Sequence, residues 1–214
     1  MKSTSPTSNA AARVLALALL LVGLSACASV RPVVKIGLVA PFEGRYRAIG
    51  YDAIYSARLA VREINAAGGI GGYRVALVAL DDRGDPELAR ETAAALAVDP
   101  AVVAVVGHYL PDTTAAALEV YTKAGLPLLP TGAPPFAEHD PAGLPDGFRA
   151  AYAAVTPFDE EAGPHAGATY DAFGLLWLAL AEAEQSMGGI TRSSVQAALP
   201  GLEYEGVTGT VFRP

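Results

Sequence analysis

The sequence predicts an α/β domain of three layers, a mostly parallel sheet with helices on both faces. Three observations carry this. Short apolar runs with little polar alternation read as strands buried on both faces. The segments between them repeat apolar residues every three or four positions. The two kinds of segment alternate without a break as far as residue 129.

The first strand is Lys35 to Ala40 (KIGLVA). A helix from about Gly50 to Ala67 follows, with Ile54, Ala57, Val61 and Ile64 on one apolar face. Gly68, Gly69, Gly71 and Gly72 then supply the positive φ angles that end a helix and turn the chain. A nucleotide-binding glycine loop would follow a strand and precede a helix, the reverse of this order. Tyr73 to Leu80 (YRVALVAL) is the second strand. Asp85 as cap and Pro86 at the first helical position open a second helix to about Val98, stopped by Asp99 and Pro100. Val102 to Val106 (VVAVV) is the third strand, and a helix from about Thr113 to Ala124 ends before Gly125. Leu126 to Leu129 is a fourth strand, whose internal Pro127 marks a sheet edge or strand end. Such alternation means right-handed crossovers, with ligands at the carboxyl ends of the strands.

Pro130 to Gly147 lacks periodicity and reads as a loop or seam. Beyond it come a short helix at Phe148 to Ala154, a long one at about Ala168 to Ser186, and a last one from Thr191. A strand-like tail, Val207 to Phe212, follows, and there is no internal repeat.

The first residues have a different purpose. Lys2 and Arg13 precede the apolar run Val14 to Val22, which is shorter than the roughly 20 residues a membrane span requires. Leu24, Ser25, Ala26 and Cys27 resemble the bacterial lipobox, so residues 1–27 are expected to be a lipoprotein signal with Cys27 lipidated. Two acyl chains hold a protein stably on a membrane that it does not enter. The expected location is therefore extracytoplasmic, lipid-anchored to a bacterial membrane, in a periplasm or on a cell surface. Cys27 is the only cysteine, which excludes a disulfide framework. A net charge of −7 with no basic cluster after the signal gives nucleic acid no electrostatic footprint.

Several stretches together resemble the branched-chain amino acid binding proteins of bacterial ABC importers, the extracellular ligand-binding receptors or type I periplasmic binding proteins. They are KIGLVAPFEG (35–44), ARLAVREINAAGGIGGYRV (57–75), LDDRGDPELA (80–89), VVAVVGHY (102–109), FRAAY (148–152), ATYDAFGLLWLALAEA (168–183) and GVTGTVF (206–212). The resemblance implies two lobes hinged around a ligand, the second inserted after the fourth strand of the first. Here LPLLPTGAPPF (126–136) runs almost directly into FRAAY, so the second lobe is expected to be missing. The expected organisation is residues 33–136 as the N-terminal βα part of one lobe, 137–147 as the seam, and 148–214 as the helices that complete it.

Physics and resemblance converge on the loop Gly107 to Asp112 and the helix N-terminus it opens, where backbone N–H groups and the dipole favour a carboxylate. The candidate ligand-binding residues are Tyr46, His108, Tyr109, Asp112, Thr113, Thr114, Thr131, Gly132 and Ala133. By position, the family's carboxylate-binding serine falls at Pro111 and its threonine at Thr114. In the second loop a small residue falls at Gly132 and a threonine at Pro134, and the first-loop aromatic falls at Ile49 beside Tyr46. Each unmade hydrogen bond to a charged group forfeits about 1.5–3 kcal/mol. A purely structural reading of Asp112 or Thr113 is that it caps the helix, and Asp171 reads as an acid near the start of the long helix.

His108, His139 and His165 have no metal-site spacing, and neither a metal nor a cofactor is expected. The expected function is solute binding for an ABC importer, with an amino acid of branched-chain type as ligand, a permease as partner and no catalysis. A hydrolase would need a nucleophile elbow, and no G-x-S-x-G occurs. The other reading is a single-lobe sensor or adaptor that binds protein. A lone lobe exposes its cleft face, and a homodimer through that face would cover it.

Overall fold

A computed structural model describes residues 31–212, so the signal segment and Cys27 lie outside the described residues. Four parallel strands, β1 (Val33–Ala40), β2 (Arg74–Asp81), β3 (Val102–Gly107) and β4 (Leu128–Leu129), lie in the order β2-β1-β3-β4. They alternate with α1 (Arg47–Ala66), α2 (Pro86–Ala97) and α3 (Pro111–Ala124). After the loop come α4 (Asp146–Ala153), α5 (Ala166–Met187) and α6 (Arg192–Ala198), then β5 (Glu203–Gly206) and β6 (Gly209–Phe212).

The sheet separates two apolar cores. On one face Ile36, Leu38 and Ala40 meet Ala53 and Ala57 of α1, Phe173 and Leu176 of α5, and Val195 of α6. On the other, Val39 and Val105 meet Ala89 and Leu96 of α2 and Ala117 and Tyr121 of α3. This is the expected three-layer architecture, a parallel sheet with helices on both faces. A third cluster, built on Leu59, Leu144, Phe148 and Tyr152, anchors α4 and the loop before it.

Local chemistry explains where the elements end. Asp85 caps α2 by accepting from the N–H groups of Glu87 and Leu88, as its place before Pro86 predicts. The four glycines after α1 all have positive φ. Just before them the Asn65 side chain bonds both the N–H and the C=O of Val75, tying α1 to β2. Arg192 closes the opposite end of the sheet from the candidate site. Its guanidinium donates to the carbonyls of Val102, Ala97, Asp99 and Ala124, which terminate three different segments.

Several expectations need correction. The predicted face of α1 does pack on the core, Ala57 buried and Ile54, Val61 and Ile64 half-buried against it, but its most buried positions include the small residues Gly50, Ala53 and Ala60, which allow α5 to pack closely. α3 begins at Pro111, two residues earlier than expected, with Leu110 as a cap residue that offers no side-chain bond. Neither Asp112 nor Thr113 caps it, and the Thr113 hydroxyl instead donates back to the Leu110 carbonyl at 3.0 Å. The tail is an antiparallel hairpin rather than one strand. Asp171 lies well inside α5 and grips that hairpin's turn, accepting from the N–H groups of Val207 (2.8 Å) and Thr208 (2.9 Å).

Candidate functional site

The loops after β1, β2, β3 and β4 gather at the carboxyl edge of the sheet, where a parallel sheet places its ligands. Gly107 ends β3 at φ +123°, and a Cβ there would stand 2.1 Å from the Val39 carbonyl oxygen. Only glycine allows this crossing, and it sets the direction of the residues that follow.

His108 turns inward. Its ring is fully buried, with Nδ1 2.7 Å from Asp82 Oδ2 and Nε2 3.1 Å from the Tyr121 hydroxyl. Both ring nitrogens are thus engaged within the fold, and Asp82 also accepts from the Gly84 N–H at 3.0 Å. His108 therefore joins the loops after β2 and β3 to α3.

Tyr109 points to the other side. Its hydroxyl lies 2.8 Å from Thr169 Oγ1 on α5, and its ring meets His165 edge-on at 5.7 Å. Burial raises the phenol's pKa far above its usual range, the Thr169 bond opposing. Thr131, only 2% exposed, stands near the same phenol, yet its hydroxyl has no partner of good hydrogen-bond geometry among the described residues. His165 Nδ1 is likewise buried without a partner among the described residues, and burial lowers this imidazole's pKa, opposed by the Glu138 carboxylate. Beneath them Asp52 of α1 accepts from the N–H groups of Gly163 and His165, both at 3.2 Å. Its own burial raises the Asp52 carboxyl to about 6.

The first turn of α3 supplies donors. Pro111 has no N–H, Thr114 N bonds the Leu110 carbonyl, and the N–H groups of Asp112 and Thr113 have no acceptor among the described residues. The Thr114 hydroxyl is spent on the His108 carbonyl at 3.1 Å. On the facing loop Gly132 has φ +84°, with the site of a Cβ only 2.3 Å from the Tyr109 carbonyl oxygen, so the two loops pass in contact.

Between them lies a cavity of about 300 Å³ lined by Tyr109, Leu110, Pro111, Thr114, Ala115 and Leu118 from one side and Pro130, Thr131, Gly132 and Ala133 from the other. No charged side chain lines it. Five of the nine candidates meet here: Tyr109, Thr114, Thr131, Gly132 and Ala133. The other four are placed elsewhere. His108 is buried beneath the loop, Thr113 is buried, Asp112 is exposed in the first turn of α3, and Tyr46 packs beside Gly84 and Leu110 with Arg45 over its ring at 4.4 Å. A larger hollow of about 410 Å³ lies at Pro141, Asp146 and Glu161 and is lined by none of the nine candidates.

Sequence reasoning did not single out Leu110, Leu118 and Pro130 as walls, nor Asp82, Asp52 and Thr169 as supports. Asp82 carried a weak signal, an acid directly after a strand, whereas Asp52 and Thr169 act across long separations and left none. Among the described residues no helix is long and apolar enough to cross a membrane, and no three His, Cys, Asp or Glu converge as metal ligands.

Comparison with known proteins matches residues 33–147 to the periplasmic binding protein family. An amino acid binding protein of Pseudomonas aeruginosa is 39% identical over 93 residues, 44% of this chain and 25% of that one. The leucine-specific-binding protein of Salmonella typhimurium is 31% identical over 100 residues, 47% of this chain and 27% of that one. This chain thus spans about a quarter of the length of the curated relatives it matches. Among solved structures, the branched-chain amino acid binding protein LivJ of Streptococcus pneumoniae, in complex with isoleucine, superposes with a TM-score of 0.69 at 19% identity, covering 84% of this chain and 91% of that one. The leucine binding protein LivK of Thermotoga maritima gives 0.64 at 12% identity, covering 82% and 90%. At these identities the structures establish a shared fold.

Proposed function

Because the chain belongs to the periplasmic binding protein family, matched over residues 33–147, we propose that it is an extracytoplasmic solute-binding lipoprotein serving an ABC permease. Its solute is an amino acid of branched-chain type, bound without catalysis. The observation that carries this reading is the cavity at the carboxyl ends of β3 and β4. The helix turn that follows Pro111 in its wall carries two N–H groups, on Asp112 and Thr113, without acceptors among the described residues, and the cavity walls are apolar. A carboxylate suits the helix N-terminus, and an aliphatic side chain suits the walls. Relatives named for amino acid and leucine binding support the same class.

In this reading Cys27 carries the lipid, and residues 33–136 and 148–214 build one lobe. Residues 137–147 take the place of the second lobe in two-lobed relatives. Pockets usually bury about 70–90% of a ligand, so one lobe needs a second wall, and a homodimer through the cleft face supplies it. Sedimentation with and without ligand tests that arrangement, and a monomer under both conditions removes it.

One observation favours the second reading, a sensor or adaptor that binds protein: the Thr113 and Thr114 hydroxyls are both consumed by backbone carbonyls. Thermal unfolding with a panel of amino acids separates the two. A ligand at 100 times its Kd adds about 2.7 kcal/mol of stability, so a rise confined to aliphatic amino acids supports solute binding. A cooperative melt unmoved by every amino acid transfers the case to the protein-binding reading.

A further inference from the structure

A second concavity, of about 240 Å³, lies where α1, α5 and β5 meet, away from the strand ends. Its walls are Tyr170, Trp177, Tyr204 and Ile64, with Glu63 at the edge. The Glu63 carboxylate is held by the Tyr170 hydroxyl at 2.6 Å, which fixes one negative group against an aromatic wall. Burial raises the pKa of both Tyr170 and Tyr204, and the carboxylates of Glu63 and Asp171 push both further up. Two acids therefore act on the same pair of rings. No lining residue is basic.

Gly174 makes the arrangement feasible. A Cβ at that position would stand 2.2 Å from Tyr204 Cζ, so the helix surface is cut away where the phenol lies against it. Trp177 is braced by Phe173, ring centroids 5.4 Å apart. The result is three aromatic side chains around a space of small-molecule size, with a fixed carboxylate at its edge.

Aromatic faces attract cations through their quadrupole, tryptophan most strongly. A bare metal ion would find only one carboxylate among the lining residues and no ring of oxygen ligands. A neutral apolar ligand would leave the fixed carboxylate unused. An alkylammonium cation satisfies both features, its methyl or methylene groups against the rings and its charge toward Glu63. We propose that this groove binds a small alkylammonium cation of the quaternary or N-methylated amine class, at a site separate from the amino-acid cavity and independent of that reading.

Trp177 is the only tryptophan in the chain, so its fluorescence reports on the groove without a label. The test titrates the full chain at constant ionic strength with choline chloride and, in parallel, with dimethylbutanol, in which carbon replaces the quaternary nitrogen. The expected result is a saturable change in emission with choline and a response to dimethylbutanol at least about tenfold weaker in affinity, the factor that 1.4 kcal/mol of charge recognition gives. Glu63 is exposed, so Glu63→Gln should fold normally and weaken choline binding by about fivefold, the factor for one ~1 kcal/mol contact. Tyr170→Phe keeps the ring, releases the carboxylate and is expected to weaken choline in the same direction. Equal responses to choline and dimethylbutanol, an unchanged choline affinity in Glu63→Gln, or no saturable emission change would each overturn the proposal.

Discussion

Replacing Thr131 by valine asks whether its hydroxyl belongs to the fold or to a ligand. The side chain is 2% exposed, and its Oγ1 has no partner of good hydrogen-bond geometry among the described residues, although the Tyr109 phenol stands nearby. A buried hydroxyl left unsatisfied costs about 1–3 kcal/mol by protein mutational measures. Valine keeps the shape and removes that cost. Thr131→Val should therefore stabilise the ligand-free protein by about 1–2 kcal/mol, which raises Tm by about 2–8 °C for a chain of this size. The same change deletes a donor from the cavity wall, so the rise in Tm that an amino-acid ligand produces should shrink in the variant. Calorimetric melts of both proteins, with and without ligand, measure the two effects together. A valine variant less stable than the parent by 1 kcal/mol or more would mean that the hydroxyl is already bonded within the fold and is not free for a ligand.

Three further perturbations address the supports of the site. His108→Ala leaves the fully buried Asp82 carboxyl and the Tyr121 hydroxyl without their ring partner, and should lower stability by about 3 kcal/mol or more in urea unfolding. Burial lifts Asp52 from 3.8 to about 6, so the folded chain binds that proton more tightly than the unfolded one. Its contribution is full below pH 3.8 and is lost as pH rises through about 6, by at most about 3 kcal/mol at 1.36 kcal/mol per pH unit. Stability curves of the parent and Asp52→Asn between these limits should diverge by that slope; the difference isolates Asp52 from His165, whose lowered pKa acts in the opposite sense. Arg192→Met removes four charge-assisted bonds to carbonyls and should cost about 2–4 kcal/mol in chemical denaturation, with binding at the remote cleft unchanged.

What the sequence revealed and what it hid divide along physical lines. α2 was legible because Asp85 and Pro86 are a strictly local signal: the cap bonds only two and three residues ahead. β1 and β3 were legible because strands buried on both faces must be continuously apolar. The start of α3 was misread because Leu110 caps it with no side-chain acceptor, and the nearby Asp and Thr offered a more familiar cap. β5 was invisible because EYEG is half exposed and has no apolar run to betray a strand. The site shows the same division. The loop carrying Tyr109 and the helix start after it follow from local pattern, but the partners that orient them do not. Thr169 meets Tyr109 from 60 residues away, and Asp52 reaches Gly163 across 111. Such pairings exist only once the layers have stacked, so no spacing in the chain announces them.

In the proposed function a small amino acid sits in the cavity between the β3 and β4 loops. The most direct test is an NMR titration of the isotope-labelled protein with leucine, following the amides of Asp112 and Thr113 and the methyl of Thr131. The expected result is saturable shifts concentrated on those three groups and on Gly132 and Ala133. Resonances that stay fixed throughout, or saturable shifts that fall elsewhere in the lobe, would contradict it.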